Sequence, residues 1–546
     1  MERSFHLVFV GVIIAKYQEK VNQPDLKIAQ LTVAPIKIAC FFIFGTRKTP
    51  KTEKRIDRNR DFDYNSICHF QFDQRNPVMH IKEKLRGTVD LAMLSTVFAL
   101  AWPTMLEQLM QTTVQYIDTA MVGSLGTQAT AAVGATSTFS WLVGSSTSAL
   151  GVGFLSFIAK AYGAGDKKTA SRVSTQAVLA VLAVGTLFTV LTLSLAGVIP
   201  AWMQVDESIR PLASTYFFIL YTPMLFRAAT IIFGVALRAT GDTKTPMRVG
   251  IVVNLVNVIL NFFMIFETRT KDIFGMTLTI PGFGWGVIGA AAASAIAFAV
   301  GGIYMTVMFW RHPVISPRGQ KLKPDPEILK PCLRVAIPNM FQRFGTTLGY
   351  VAFASMVNAL GDVSTAAHTI ANTVESLFYI PGFGMQTAAA TLAGNALGAG
   401  DEGRMKKLIR TMLPLEVALM TVSGGLLFAL APTMMTIFTD DPAVIALGAA
   451  VLRMVAVSEP FYGVSIILEG VLQGIGDTVT PFKFNLLGMW GVRIVGTLIC
   501  TRFLAGTLAV AWGCMIAHNM LLFVLFVIFY RTGRWNPFRH MAKQNL

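Results

Sequence analysis

The sequence predicts an all-α integral membrane protein with twelve transmembrane helices in two six-helix lobes, and three observations carry that prediction. Of 546 residues, 53% are hydrophobic and only 14% charged, where a soluble domain carries roughly a quarter charged residues. The stretch 90–531 divides into twelve apolar runs bounded by Gly, Pro or charge, each long enough for a hydrocarbon core about 30 Å thick. That stretch also repeats itself at one spacing, 235 residues.

The predicted spans are 91–123, 128–158, 172–199, 210–238, 246–267, 284–310, 331–359, 365–393, 408–431, 444–473, 481–503 and 508–530. The connections Lys160–Arg172, Arg238–Arg248, Arg311–Arg334, Arg404–Arg410 and the tail Arg531–Lys543 are basic, whereas the loops between them carry few Lys or Arg. Positive-inside charge bias then puts both termini in the cytoplasm. The net charge of +16 is accordingly read as membrane topology, with the lipid bilayer as partner and no nucleic acid. Five scattered cysteines, Cys40, Cys68, Cys332, Cys500 and Cys514, form no CxxC pair, so neither a disulfide framework nor a zinc or iron–sulfur centre is indicated and no cofactor is expected.

The segment 1–78 breaks the pattern. Ser4–Ala15 and Ala34–Gly45 are apolar but well short of a span, and Arg47–Arg75 is densely charged. It is expected to be a poorly structured leader or an overextended start, with the mature chain beginning at Met79. The remaining organisation is an N-lobe over 79–310, a cytoplasmic linker over 311–330, a C-lobe over 331–531 and a cytoplasmic tail over 532–546.

The repeat is read residue by residue. Pro103 returns as Pro338, Met121-Val122 as Met356-Val357, and Leu125-Gly126 as Leu360-Gly361. The loops return as well: Gly163-Ala-Gly-Asp166 as Gly398-Ala-Gly-Asp401, and Gly241-Asp-Thr-Lys-Thr-Pro246 as Gly476-Asp-Thr-Val-Thr-Pro481. Six spans per copy is an even number, so both copies enter the membrane from the same side and are related by an axis along its normal. The Gly/Asp elements read as tight turns with helix caps. They lack the GxxxxGK[ST] run of a phosphate cradle, so any transport is driven by an ion gradient or by the substrate's own gradient.

Carboxylates inside spans are expensive to insert and mark function. Glu107 and Asp118 share the first span, eleven residues apart, which at 3.6 residues per turn returns to within about 20° of one face; both are expected to look into one cavity. Asn254, Asn257 and Asn261 form an i, i+3, i+7 amide stripe on the fifth span, and Ser294 adds a hydroxyl on the sixth. At the 235 spacing Asp118 corresponds to Phe353, Asn257 to Val492, Asn261 to Gly496 and Ser294 to Phe529, so this polar set belongs to one lobe. Glu375 and Glu459 are unpaired acids of the other copy. They are candidates for substrate attraction or proton coupling, or for ion pairs with Arg227, Arg343 or Arg453; Glu416 and Glu469 are read as lying near helix ends. His368 and His518 occur without HExxH or GxSxG context, so no enzyme is indicated. Pro223 and Pro381-Gly382 are expected to bend their spans.

Pro103-Thr-Met-Leu-Glu107 through Asp118-Thr-Ala-Met-Val-Gly-Ser-Leu-Gly126, the paired GAGD loops and the paired GDTxTP turns resemble the MATE (multidrug and toxic compound extrusion) family, NorM-like branch, over roughly 85–535. The resemblance implies a secondary antiporter that exports small organic cations and drugs in exchange for Na⁺ or H⁺, its two lobes rocking to give alternating access. It also implies a coupling-cation site at Asp118, Asn257, Asn261 and Ser294, with Na⁺ held at Asp118, Asn257 and Asn261. Several relatives carry an acid where this chain has Asn261, which leaves one negative charge and makes a protonation cycle comparably open. Glu107, Asn254, Glu375 and Glu459 are further substrate or proton candidates. The expected setting is the inner cell membrane, and the expected unit a monomer. The alternative reading is a flippase for lipid-linked precursors built on the same superfamily plan, with Arg227, Arg343, Arg453 and Arg493 as its cationic lining.

Overall fold

The computed structural model of the chain describes residues 91–203, 205–273, 276–503 and 506–539. The leader, the expected start at Met79 and the last residues of the tail lie outside them. Twelve spans follow in order. In the first copy these are α1 (Leu91–Gly123), α2 (Thr127–Gly163), α3 (Lys167–Leu195), the bent pair α5 (Arg210–Tyr221) and α6 (Met224–Ala239), α7 (Lys244–Met264) and α8 (Gly286–Arg311), with a short α4 (Ile199–Trp202) before the pair. In the second they are α9 (Pro326–Asn358), the pair α10 (Asp362–Phe378) and α11 (Ile380–Gly398), α12 (Glu402–Thr436), the pair α13 (Pro442–Ala456) and α14 (Glu459–Ile475), α15 (Val479–Phe503) and α16 (Leu508–Thr532). Residues 487–494 of α15 are π-helical.

The duplication is written in the backbone. Left-handed glycines, which no side chain permits cheaply, recur in register as Gly126 and Gly361, Gly165 and Gly400, Gly241 and Gly476, with φ of 110° and 100°, 72° and 68°, 89° and 87°. Asp166 and Asp401 cap α3 and α12, accepting from the backbone N–H of Thr169 at 2.9 Å and Arg404 at 2.7 Å. Asp242 and Asp477 accept likewise from Thr245 and Thr480, each at 3.0 Å. The GAGD and GDTxTP elements are therefore turn-and-cap devices. The fourth span of each copy breaks at equivalent positions, Pro223 and Ser458-Glu459-Pro460, by 49° and 56°. Proline there removes a ladder donor and clashes with the preceding turn. Pro381 likewise starts α11 after the short break that ends α10.

Three expectations are corrected. The chain is not purely helical, because Glu267–Ile273 and Met276–Phe283 pair as an antiparallel hairpin; Thr at every second position (Thr268 and Thr270, Thr277 and Thr279) favours extended backbone, and Pro281 and Gly282 oppose a helix. Among the described residues the hairpin occurs in the first copy only, so the 235 spacing ends with the fifth spans: Gly286 and Leu508, which open α8 and α16, are 222 apart. Ser294 thus corresponds to Ile516 rather than Phe529, and it remains without a hydroxyl in the other copy. The linker is also shorter than expected, since Asp325 caps α9 and Pro326 opens it. It is docked on α3: Ser171 donates to the Ser316 carbonyl at 2.7 Å, Gln176 to that of Lys323 at 3.0 Å, and Arg172 to Asp325 at 2.6 Å.

Candidate cation site in the N-terminal lobe

The sequence stripe on α7 faces α1 and α8, and it assembles a polar cluster around one carboxylate. Asn261 Nδ2 donates to Asp118 Oδ1 at 2.6 Å, and the Asn257 amide sits 3.2 Å from Asn261 Nδ2 and 2.9 Å from Ser294 Oγ. Asn257 and Asn261 are buried, while Asp118 and Ser294 are half-buried. Among the described residues Asn261 Oδ1 is buried with no hydrogen-bond donor, an acceptor left over beside a carboxylate.

The Asn257 amide lies between Asp118 and Ser294: its nitrogen is 2.8 and 3.2 Å from the two Asp118 oxygens and its oxygen accepts from Ser294 Oγ at 2.9 Å. Amide donors thus solvate the carboxylate, and Asp118 together with the spare Asn261 oxygen are the acceptors left for a hard cation or a shared proton. Tyr216 lies within electrostatic reach of Asp118, and also of Tyr221 and Arg227. Arg227 stacks on Phe298 and Tyr221 at 4.8 and 5.9 Å.

The other candidates sort differently. Glu107 shares the face of Asp118 but lies about 16 Å away along the helix, and Arg238 Nη2 binds both its oxygens at 2.7 Å. It is an ion-pair partner rather than a member of the Asp118 cluster, which corrects the expectation of one shared cavity. Asn254 is buried one turn from Asn257, and its Nδ2 finds no acceptor among the described residues.

In the second lobe the Tyr379 hydroxyl donates to Glu375, and Glu459 lies within electrostatic reach of Glu375 and Glu416. Among the described residues no Lys or Arg nitrogen comes within 4 Å of these three acids, so the alternative reading of Glu375 and Glu459 as ion-pair partners of Arg227, Arg343 or Arg453 is not realised. Arg493 instead stacks on Phe353 and Tyr350 at 4.3 and 4.9 Å, and Arg453 on Phe428 at 5.6 Å. Sequence reasoning set Glu416 aside as near a helix end. It is in fact mid-helix in α12 and fully buried, with Oε1 against the bare Cα positions of Gly382 and Gly463. Those two glycines were the available signal. Glu469 sits in an amide network, accepting from Gln342, Gln473 and Asn485 at 2.9, 3.0 and 3.2 Å. His368 packs edge-to-face on Phe353 and Trp512.

Comparison with known proteins agrees with this architecture. The MatE family model matches twice, over residues 103–263 and 338–499. The probable multidrug resistance protein NorM of Thermotoga maritima is 27% identical over 436 residues, covering 80% of this chain and 92% of its own. The probable multidrug resistance protein YpnP of Bacillus subtilis is 26% identical over 443 residues, covering 80% and 94%. Among solved structures, an outward-facing multidrug resistance MATE transporter of the MOP superfamily superposes with a TM-score of 0.75 at 21% identity, covering 82% of this chain and 96% of that one.

Proposed function

This chain belongs to the MATE family and is a multi-pass membrane transporter rather than an enzyme, and on that premise we propose that it exports small organic cations in exchange for Na⁺ or H⁺. Asp118 is the coupling carboxylate, with Asn257, Asn261 and Ser294 as its neutral ligands. The observation that supports this reading is the unpartnered Asn261 oxygen beside the only carboxylate of the cluster. Na⁺ or a proton arriving there replaces the N–H solvation of Asp118 with charge compensation. Because Asp118 lies on α1, Asn257 and Asn261 on α7, and Ser294 on α8, occupancy changes how these three helices are tied together.

Alternating access requires the coupling ion and the substrate to prefer different lobe arrangements, since a ligand that binds both equally shifts nothing. Ion occupancy at Asp118 weakens the binding of a cationic substrate by removing the negative charge that attracts it. The proposed setting is the inner membrane with both termini cytoplasmic and the monomer as the working unit. Ethidium efflux from vesicles, driven separately by a Na⁺ gradient and a pH gradient, tests the reading. One gradient is expected to drive efflux and Asp118→Asn to abolish it in a folded, inserted protein. Undiminished efflux by that variant overturns the assignment; efflux driven by neither gradient moves the lipid-precursor flippase ahead.

A further inference from the structure

The two lobes meet through contacts that come in repeat-related pairs. Helix α2 of the first lobe packs on α9, α11 and α14 of the second. Ala159 and Gly394 are equivalent residues of the two copies, and they touch each other: a Cβ on Gly394 would stand 2.6 Å from the Cβ of Ala159. A Cβ on Gly163 would stand 2.1 Å from the Asn395 carbonyl oxygen, and one on Gly398 only 1.9 Å from that of Lys160. Gly163 and Gly398 are equivalents, and so are Lys160 and Asn395. The approximate two-fold axis therefore runs between residues 159 and 394, and around it backbone lies on backbone.

One turn from the axis the same symmetry appears in hydrogen bonds. Ser156 Oγ donates to the Gly474 carbonyl and Thr391 Oγ1 to the Arg238 carbonyl, each at 3.0 Å across the lobe boundary. Residues 156 and 391 are equivalents. The helical Thr residues of this chain mostly return their hydroxyl to a carbonyl of their own helix, as Thr147 and Thr306 do. These two instead reach the last turn of the other lobe's fourth span, at the carbonyls beside the Gly241 and Gly476 turns. The Lys160 ammonium and the Ser156 hydroxyl are both packed on Gly476 itself.

We infer that Ser156 and Thr391, together with the glycine seats Gly163, Gly394 and Gly398, are a two-fold latch that holds the lobes shut on the face of the basic loops and must release for substrate to enter from that face. The inference rests on the alternating-access reading for its purpose but not for its measurement. Separating the lobes here breaks both cross-lobe hydrogen bonds and unseats all three glycines at once, so release is cooperative rather than gradual.

The chain carries its own reporter. Cys332 on α9 is 1% exposed, and its carbonyl oxygen would lie 2.5 Å from a Cβ on Gly153 of α2, so its thiol is reached only when this face opens. In a full-length chain with Cys40, Cys68, Cys500 and Cys514 replaced by serine, N-ethylmaleimide labelling of Cys332 in membranes is expected to be slow. The Ser156→Ala, Thr391→Ala double variant is expected to label roughly tenfold faster, the population change appropriate to two lost hydrogen bonds. Gly398→Leu, which cannot seat, is expected to label fastest. Ser156→Thr with Thr391→Ser keeps both hydroxyls and is expected to label as slowly as the parent, which separates a latch from general loosening. Unchanged labelling in both disruptive variants, with the parent's melting temperature retained, overturns the latch. Loss of ethidium efflux has no bearing on that outcome, and faster labelling without ion-driven efflux would sink the antiporter reading alone.

Discussion

Arg238 Nη2 lies 2.7 Å from each carboxylate oxygen of Glu107, joining the first and fourth spans of the N-terminal lobe. The equivalent residues of the second lobe are the neutral Gln342 and Gln473, and they are joined through Glu469 instead. Gly234 and Gly250, which flank the ion pair, correspond to Glu469 and Asn485. One copy thus closes this joint with an ion pair framed by glycines and the other with an amide network around one acid. Both side chains of the pair are largely buried, so Glu107→Gln leaves an uncompensated guanidinium and is expected to cost about 3 kcal/mol. The Glu107→Gln, Arg238→Gln double variant reproduces the amides of the other lobe and is expected to recover most of that loss. Thermal melts of the three proteins in detergent check the order.

At Asp118 the cluster holds one carboxylate, and Asn261 contacts it at 2.6 Å. Asn261→Asp places a second negative charge on the same cation, so Na⁺ is expected to bind about tenfold tighter, equivalent to roughly 1.4 kcal/mol. If H⁺ is the coupling ion, the same variant is expected to shift the pH dependence of efflux upward, because two adjacent carboxylates hold a shared proton more firmly. Isothermal titration with Na⁺ and efflux against pH distinguish the two cases.

Much of the membrane plan was legible because bilayer thickness and helical rise leave few ways to arrange such apolar runs. The Asn stripe at i, i+3, i+7 located the cluster because three amides on one helical face are costly without partners. Two of the three join Asp118, and Asn254, a turn further on, does not. Angular reasoning failed for Glu107, since residues on one face need not share a depth, and its partner Arg238 is 131 residues away. The hairpin stayed hidden because the expected spans end at 267 and resume at 284, and the charged, Thr-containing stretch between them reads as an ordinary extramembrane loop. Glu416 was misplaced by boundaries: the expected span began at 408, whereas α12 begins at Glu402, and those six residues move the acid from an end to the middle.

Glu416, Glu375 and Glu459 are buried acids without a basic partner within ion-pair distance among the described residues. A charge so placed costs several kcal/mol unless it is compensated. Glu416→Gln keeps the shape against Gly382 and Gly463 and removes the charge. Its melting temperature is expected to match or exceed the parent's at neutral pH, and pH-driven efflux is expected to fall if the C-terminal lobe takes part in coupling. A lower melting temperature at neutral pH would show that the carboxylate is held ionised by a compensating ligand.

Asp166, in the exposed turn between α2 and α3, is held below the ordinary carboxylate range by the Thr169 side chain and backbone N–H that it accepts from. Its folded pKa is depressed, so its contribution to the cap is complete above the ordinary carboxylate value and is lost as pH falls through the lower folded value. Asn caps nearly as well as Asp but does not titrate. Hydrogen exchange of the α3 N-terminal peptide is therefore expected to be similar in the parent and Asp166→Asn at neutral pH. Below the usual carboxylate range, after correction for intrinsic rates, the parent peptide is expected to lose protection while that of the variant does not. Equal losses in both proteins would place the acid sensitivity elsewhere in the loop.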